Sequence, residues 1–263
     1  MKTIVITGST RGIGYGMATA FLEMGCAVVI SGRQQAVVDQ AVSALADRFG
    51  AEKVFGTACD VRKLDQVQGL WDAAAAHFGR IDIWINNAGL AHPLTDFEDF
   101  KPETIQAVLD TNIAGMMYGS ITALKGLRDQ GGGAIYNMLG LGSTGRQVQR
   151  MALYGASKSA VAYLNRALAA ETRGQPVLVG ALLPGMVVTD LLTQQRSSDP
   201  QEWERARRIF NILADRVETV APWLARQVLE NTRHGAVISW MNPWMIGWRF
   251  LTAPFTHRQV IDE

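Results

Sequence analysis

Short apolar runs and longer stretches of helical periodicity alternate along the chain. The runs are TIVIT (3–7), AVVIS (27–31), KVFGTAC (53–59), IDIWIN (81–86), AIYNM (134–138), VLVGALL (177–183) and AVISW (236–240). They are rich in valine and isoleucine with little polar alternation, the pattern of strands covered on both faces. Between them, MATAFLEMG, VVDQAVSALADRF and VQGLWDAAAAHFG repeat apolar positions at helical spacing. This alternation predicts an α/β fold: a doubly wound sheet of about seven parallel strands with helices on both faces, one domain over residues 1–240.

Two stretches stand apart. LLTQQRSSDPQEWERARRIFNILAD (191–215) is a polar loop feeding an amphipathic helix. The last run leads into ISWMNPWMIGWRFLTAPF (238–255), part of an apolar C-terminal extension over 241–263. Pro243 and Pro254 interrupt it, and it is too short to span a bilayer. It reads as a core or subunit contact, a wall of a ligand pocket, or an interfacial membrane segment, with protein burial the first expectation.

Composition narrows the function classes. The 263 residues carry 25 basic and 24 acidic side chains without a Lys/Arg block, so no nucleic-acid partner is expected. Small-molecule chemistry is favoured, with no metal centre. Cys26 and Cys59 lie far apart in apolar contexts, suggesting buried thiols in a reducing compartment. The N-terminal run is too short for a signal peptide. A cytoplasmic protein is the expectation.

Candidate chemistry begins where the first run ends, in TGSTRGIG (7–14). Glycines at 8, 12 and 14 allow a sharp turn, close approach of amides to a pyrophosphate and tight helix packing, with Ser9, Thr10, Arg11 and Ile13 between them. This is the phosphate-binding turn of a Rossmann fold. The second run ends in Ser31-Gly32-Arg33, with no acid to bind ribose hydroxyls. Arg33 and Arg11 suit a 2′-phosphate, which favours NADPH; the alternative is that both are ordinary surface charges. Tyr154 and Lys158 share one helix face, a spacing at which an ammonium can lower a phenol's pKa. Asn112 lies inside a helical stretch where asparagine is unfavourable.

With TGxxxGxG (7–14), Asp60-Val61, NNAG (86–89), Asn112, Tyr154-x-x-x-Lys158 and Pro184-Gly185 leading to Thr189, the chain resembles a short-chain dehydrogenase/reductase from residue 3 to about 240. The resemblance implies a cofactor site formed by residues 8–14, Arg33, Asp60, Val61, Asn87, Ala88, Gly89, Tyr154, Lys158, Pro184, Gly185, Val187 and Thr189. In it Asp60 would hold the adenine, Asn87 would lie near a ribose, Lys158 would bind the nicotinamide ribose, and Val187 and Thr189 would contact the nicotinamide. It further implies that Asn112 bends its helix and holds a relay water, and that part of 190–215 is a substrate lid.

One feature departs from the family pattern. Where the fifth strand usually ends in N-x-S-S, this chain has Asn137-Met138-Leu139-Gly140. The next hydroxyl is Ser143, in a loop loosened by glycines 140, 142 and 145. Ser143 is the expected carbonyl-binding group; a backbone amide, or Tyr154 alone, is the alternative. NMLGLGSTG followed by YGASK also resembles the chlorophyll(ide) b reductase branch, which reduces a formyl group on a large macrocycle. Lacking a visible plastid transit segment, the chain would group with bacterial relatives.

The expectation is therefore an NADPH-dependent reductase of a ketone or aldehyde, with Asn112, Ser143, Tyr154 and Lys158 as catalytic residues and a bulky, apolar substrate. It would form a homodimer or homotetramer, with peripheral membrane contact as a further option. The rivals are a generic reductase of small ketones or 3-oxoacyl thioesters, and a non-catalytic NADP(H) sensor.

Overall fold

The computed structural model describes residues 1–190, 200–256 and 258–260, the side chains of 200–202, 205 and 254 aside. Residues 191–199 of the expected lid lie outside the described residues. The strands are β1 (Thr3–Ile6), β2 (Ala27–Gly32), β3 (Val54–Ala58), β4 (Ile83–Asn86), β5 (Gly133–Met138), β6 (Val177–Leu183), β7 (Val187–Val188), β8 (Asp215–Arg216) and β9 (Val237–Ser239). The helices are α1 (Gly12–Glu23), α2 (Gln35–Phe49), α3 (Leu64–Phe78), α4 (Pro102–Leu109), α5 (Gly115–Asp129), α6 (Ala152–Glu171), α7 (Pro200–Leu213), α8 (Val217–Glu230) and α9 (Pro243–Thr252).

Each of the seven apolar runs forms a strand of one sheet, in the order β3-β2-β1-β4-β5-β6-β9, with every pairing parallel. Inside a run that looks uniformly apolar, alternate residues serve opposite faces. Ile4 and Ile6 join Met17, Phe21 and Leu224 on one side, whereas Val5 joins Leu70, Trp84 and Leu127 on the other. Both layers are fully buried, so the runs need no polar alternation. The chain reverses its winding between β1 and β4, and ligands of open α/β sheets bind at such a switch point, beyond the carboxyl ends of the strands.

The short parallel pair β7–β8, Val187 opposite Asp215, was not legible in the sequence. It fastens the segment after β6 to the end of α7. Asp215 is buried and accepts hydrogen bonds from Trp240 Nε1 (2.7 Å), Arg249 Nη2 (3.1 Å) and Arg258 Nη2 (2.7 Å). Burial works against its charge, but the bonds from Arg249, Trp240 and Arg258 prevail and hold the carboxyl below its ordinary range. Arg249 and Arg258 also donate to the carbonyls of Leu213, Ile212 and Ala214, the orphan acceptors beyond α7.

The C-terminal extension is therefore held by polar bonds. Its aromatic residues are not core: Trp244, Trp248 and Phe255 are 88%, 66% and 86% exposed. They form no core within the chain, because α9 turns its arginine inward and its tryptophans outward, which leaves subunit, ligand and interface contact open. Among the described residues, no helix is long and apolar enough to cross a membrane.

Candidate active site

The glycine-rich turn sits at the switch point, shaped by contacts that only glycine permits. Gly8 has φ +62°, and a methyl group there would lie 2.9 Å from the Ala88 Cα. At Gly14 a methyl would lie 2.5 Å from Asn87 Nδ2. Asn87 Nδ2 donates to the carbonyls of Thr7 and Gly8, both at 2.9 Å, and Thr7 Oγ1 accepts from the amides of Asn87 and Ala88. The NNAG segment is thus stitched beneath the turn. Ser9 is buried, its hydroxyl donating to the Ile6 carbonyl and accepting from the Ser31 amide. Thr189 closes the opposite side, its Cγ2 3.5 Å from where a Gly12 side chain would begin.

Around this cradle lie three arginines. Arg33 is exposed after β2 and Arg11 is exposed in the turn. Arg11 pairs with Asp190 at 2.9 Å, but both side chains are about two-thirds exposed, so the pair is weak and exchangeable. Arg62 holds Asp60 in a fork, with contacts of 2.9, 3.1 and 2.6 Å. That bond, ahead of other causes that include the charge of Arg33, holds the Asp60 carboxyl below its ordinary range. Val61 is buried against Gly115, where a methyl would come within 2.8 Å of it. The residues present therefore fit a dinucleotide: a glycine cradle that side chains would fill, the amino end of α1 pointing at it, and cations at its outer edge.

Tyr154 and Lys158 lie one turn apart on α6, both buried. Lys158 Nζ donates to the Met138 carbonyl at 3.1 Å, at the end of β5. Asn112 occupies a π-helical turn, Asp110–Ala114, between α4 and α5. Such bulges gather at functional sites. Asn112 Oδ1 accepts from the Leu90 amide, while Nδ2 donates to the Leu90 carbonyl and to Ser157 Oγ. Asn112 Oδ1 and Lys158 Nζ both face the gap left by Gly89, 3.5 and 3.6 Å from where its side chain would begin.

The Tyr154 hydroxyl abuts Gly140, where a methyl would lie 2.7 Å from the phenol oxygen. Glycine thus occupies the usual place of a serine, and it is the residue in contact with the tyrosine. Ser143 is engaged within the loop, its hydroxyl donating to the Gly140 carbonyl at 2.6 Å. Ala91, Leu94, Leu141 and Met151 pack around Tyr154 as an apolar wall. Beyond β6, Gly185 (φ +75°) lets Met241 of the C-terminal extension approach, with Cγ and Sδ 3.1 Å from a would-be side chain.

Sequence reasoning missed His92, Ser157 and Met241. Ser157 stands inside the Tyr-x-x-x-Lys motif, where a buried hydroxyl on the catalytic face was a usable signal. His92 and Met241 gave none, since both reach the site through the fold.

Burial pushes the Tyr154 phenol up to about 12 and Lys158 down to about 8. In the protein alone no effect of the lysine offsets this burial. Nζ lies 5.8 Å from the phenol ring centre and is bonded to Met138, so desolvation outweighs attraction. Such a tyrosine keeps its proton at neutral pH.

Residues 2–200 match the short chain dehydrogenase family model. The chain is 39% identical over 265 residues to the chlorophyll(ide) b reductase NOL of Oryza sativa subsp. japonica, covering 99% of this chain and 74% of that one. It matches the NOL enzyme of Arabidopsis thaliana at 39% over 99% of this chain and 73% of that one. Among solved structures, the 3-ketoacyl-(acyl-carrier-protein) reductase of Brucella melitensis complexed with NADH superposes with a TM-score of 0.79 at 25% identity, over 91% of this chain and 96% of that one. Both plant relatives are chloroplastic enzymes, which overturns the cytoplasmic expectation. The N-terminal apolar run is β1 of the central sheet, so its character reports the fold and not a compartment. Buried thiols such as Cys26 and Cys59 do not discriminate either. With the family model spanning most of the fold and the plant enzymes nearly the whole chain, this protein belongs to the short-chain dehydrogenase/reductase family of oxidoreductases.

Proposed function

We propose that the protein is an NADPH-dependent carbonyl reductase acting on the formyl group of a large apolar substrate of the chlorophyll(ide) b class. The observation that carries this reading is the Tyr154 hydroxyl, which faces Gly140 and the Ala91/Leu94/Leu141/Met151 wall and has no hydrogen-bond partner among the described residues. A phenol oxygen with no partner in the protein is free to meet an acceptor from outside. The bound nicotinamide supplies the hydride. Tyr154 gives its proton to the carbonyl oxygen, and the transfer is downhill because an alkoxide is more basic than a phenolate. Lys158 holds the nicotinamide ribose and replaces the proton, and Asn112 keeps open the gap at Gly89 through which the relay passes. Ser143 exchanges its Gly140 bond for the substrate oxygen. Gly140, without a side chain beside the phenol, leaves space for a ring system there. Relatives that reduce chlorophyll(ide) b support the substrate class.

The test is NADPH oxidation with chlorophyllide b beside a panel of small aldehydes and ketones, following the cofactor and the hydroxymethyl product. Reduction of only small carbonyls would overturn the substrate class and favour the generic reductase.

For cofactor choice, Arg33→Ala is expected to raise the NADPH dissociation constant about 10- to 100-fold, the worth of a charge-assisted phosphate contact. Equal weakening of NADPH and NADH, read by fluorescence titration, would refute the phosphate assignment. Asp60, Val61, Asn87, Ala88, Gly89, Pro184, Gly185, Val187 and Thr189 complete the proposed cofactor site.

Lys158 supplies a pH test. Its ammonium, which titrates near 8 in the free protein, is stabilised when it donates to a ribose, so the protonated form binds more tightly. NADPH affinity is expected to be level below about pH 8 and to fall above it, and Lys158→Met is expected to abolish that slope. A slope unchanged in the variant would remove Lys158 from the site.

Subunit association is proposed along α5 and α6, where Met117, Ile121 and Tyr163 are exposed. The outward Trp244, Trp248 and Phe255 favour a second surface role for the C-terminal extension, contact with a membrane interface, where indoles are favoured.

A further inference from the structure

His92 is one of four histidines, buried to 2% exposure in the loop between β4 and α4. Its ring nitrogens have different neighbours. Nδ1 lies 2.6 Å from the Pro93 carbonyl, and Nε2 lies 3.2 Å from the backbone amide of Tyr154. A carbonyl only accepts and an amide only donates, so Nδ1 carries the hydrogen and Nε2 presents a lone pair. The imidazole is neutral in this arrangement, and its plane is fixed by an edge-to-face contact with Phe100 at 4.7 Å.

Helix α6 begins without a side-chain cap from its own chain neighbourhood; Met151, at the cap position, has no group to offer. The Met151 amide is taken by the Val148 carbonyl and the Gly155 amide by the Met151 carbonyl. The Tyr154 amide, an orphan of the first turn, is taken by His92 from sixty-two residues away. On the other side of the same residue, Ser157 Oγ donates to the Tyr154 carbonyl at 2.7 Å and accepts from Asn112 Nδ2 at 2.9 Å.

We propose that His92 is a positioning residue for Tyr154, its neutral imidazole capping the amide of that residue so that the phenol is held against Gly140. His92 and the Asn112–Ser157 pair grip the two polar ends of Tyr154 from separate elements, so the backbone beneath the phenol is fixed from both sides. A neutral cap suits the place. An aspartate cap would put a negative charge beside Lys158 and the phenol, and an imidazolium has no lone pair to offer and opposes the helix dipole. Ala91 and Leu94, which flank the histidine, belong to the apolar wall around Tyr154, so this loop both lines the pocket and sets the acid.

The proposal rests on Tyr154 being the proton donor, and the experiment separates the two. His92→Asn keeps an amide near Nδ1, able to donate to Pro93, and places nothing at Nε2. His92→Gln carries an amide oxygen far enough to reach the Tyr154 amide. NADPH oxidation with chlorophyllide b and with benzaldehyde is measured for both variants beside Tyr154→Phe, together with NADPH affinity. His92→Asn is expected to lower kcat about tenfold, the worth of one hydrogen bond, with KM and NADPH affinity within about twofold, and His92→Gln to recover most of the loss. Full turnover in His92→Asn, or equal losses in the two variants, would overturn the role of His92 while an inactive Tyr154→Phe left the acid in place. An active Tyr154→Phe, or an unsubstituted protein that reduces neither carbonyl, would overturn both.

Discussion

Tyr154→Phe is expected to lower kcat about 10³-fold while leaving the NADPH dissociation constant within about twofold, because general acid catalysis supplies two to four orders of magnitude. The phenol is buried, keeps its proton to about pH 12, and has no hydrogen-bond partner among the described residues, so removing one oxygen breaks no bond of the fold. The variant should melt close to the temperature of the parent, since no hydrogen bond of the fold is lost. Steady-state NADPH oxidation, cofactor fluorescence and thermal melting measure the three quantities. Turnover within tenfold of the parent would end the assignment of Tyr154 as the acid.

The second large effect concerns Gly140, and it runs against intuition drawn from the family pattern. A serine at this place would look like a repair, yet a Cβ there would lie 2.7 Å from the Tyr154 oxygen and 3.4 Å from Lys158 Cε and Cγ. The Gly140 backbone is of an ordinary kind, so the cost is contact alone. Tyr154 is buried and stiff and must move as a whole. A displacement near 1 Å at a reacting group costs about 10²-fold in rate, so Gly140→Ala is expected to lose about 100-fold in kcat/KM, and Gly140→Ser no less. NADPH affinity and melting temperature should change little. A serine variant faster than the parent would show that the loop can yield, and that the chain merely lacks the usual hydroxyl.

Both expectations depend on how the Gly140 loop meets α6, which marks where sequence reading stops. Seven apolar runs gave seven parallel strands, because a strand buried on both faces must be apolar throughout and the segments between them have no other period than the helical one. The glycine turn, Asn112 and the Tyr154/Lys158 pair were legible because each is local: a turn needing residues without side chains, an asparagine out of place in a helix, two groups one turn apart. Their assembly at the switch point followed from strand order.

Other features needed the tertiary structure. Ser143 was the evident hydroxyl, but the fold brings Gly140 to the phenol and engages Ser143 with the Gly140 carbonyl. Burial of both groups, a property of the packed site that the Tyr-Lys spacing does not show, raises the phenol in the protein alone. The apolar tail left core or subunit, pocket and membrane contact open, and the inward arginine with its bonds to Asp215 turns Trp244 and Trp248 to solvent. The β1 run looked like a clue to location and proved to be the middle of a sheet. The sequence by itself determined the strands, the glycine turn and the Tyr-Lys pair, because short-range sterics and hydrophobic period decide them. Only the tertiary structure decided which glycine touches the phenol, which histidine caps its helix and which way its pKa moves, because contacts across tens of residues and loss of water set those.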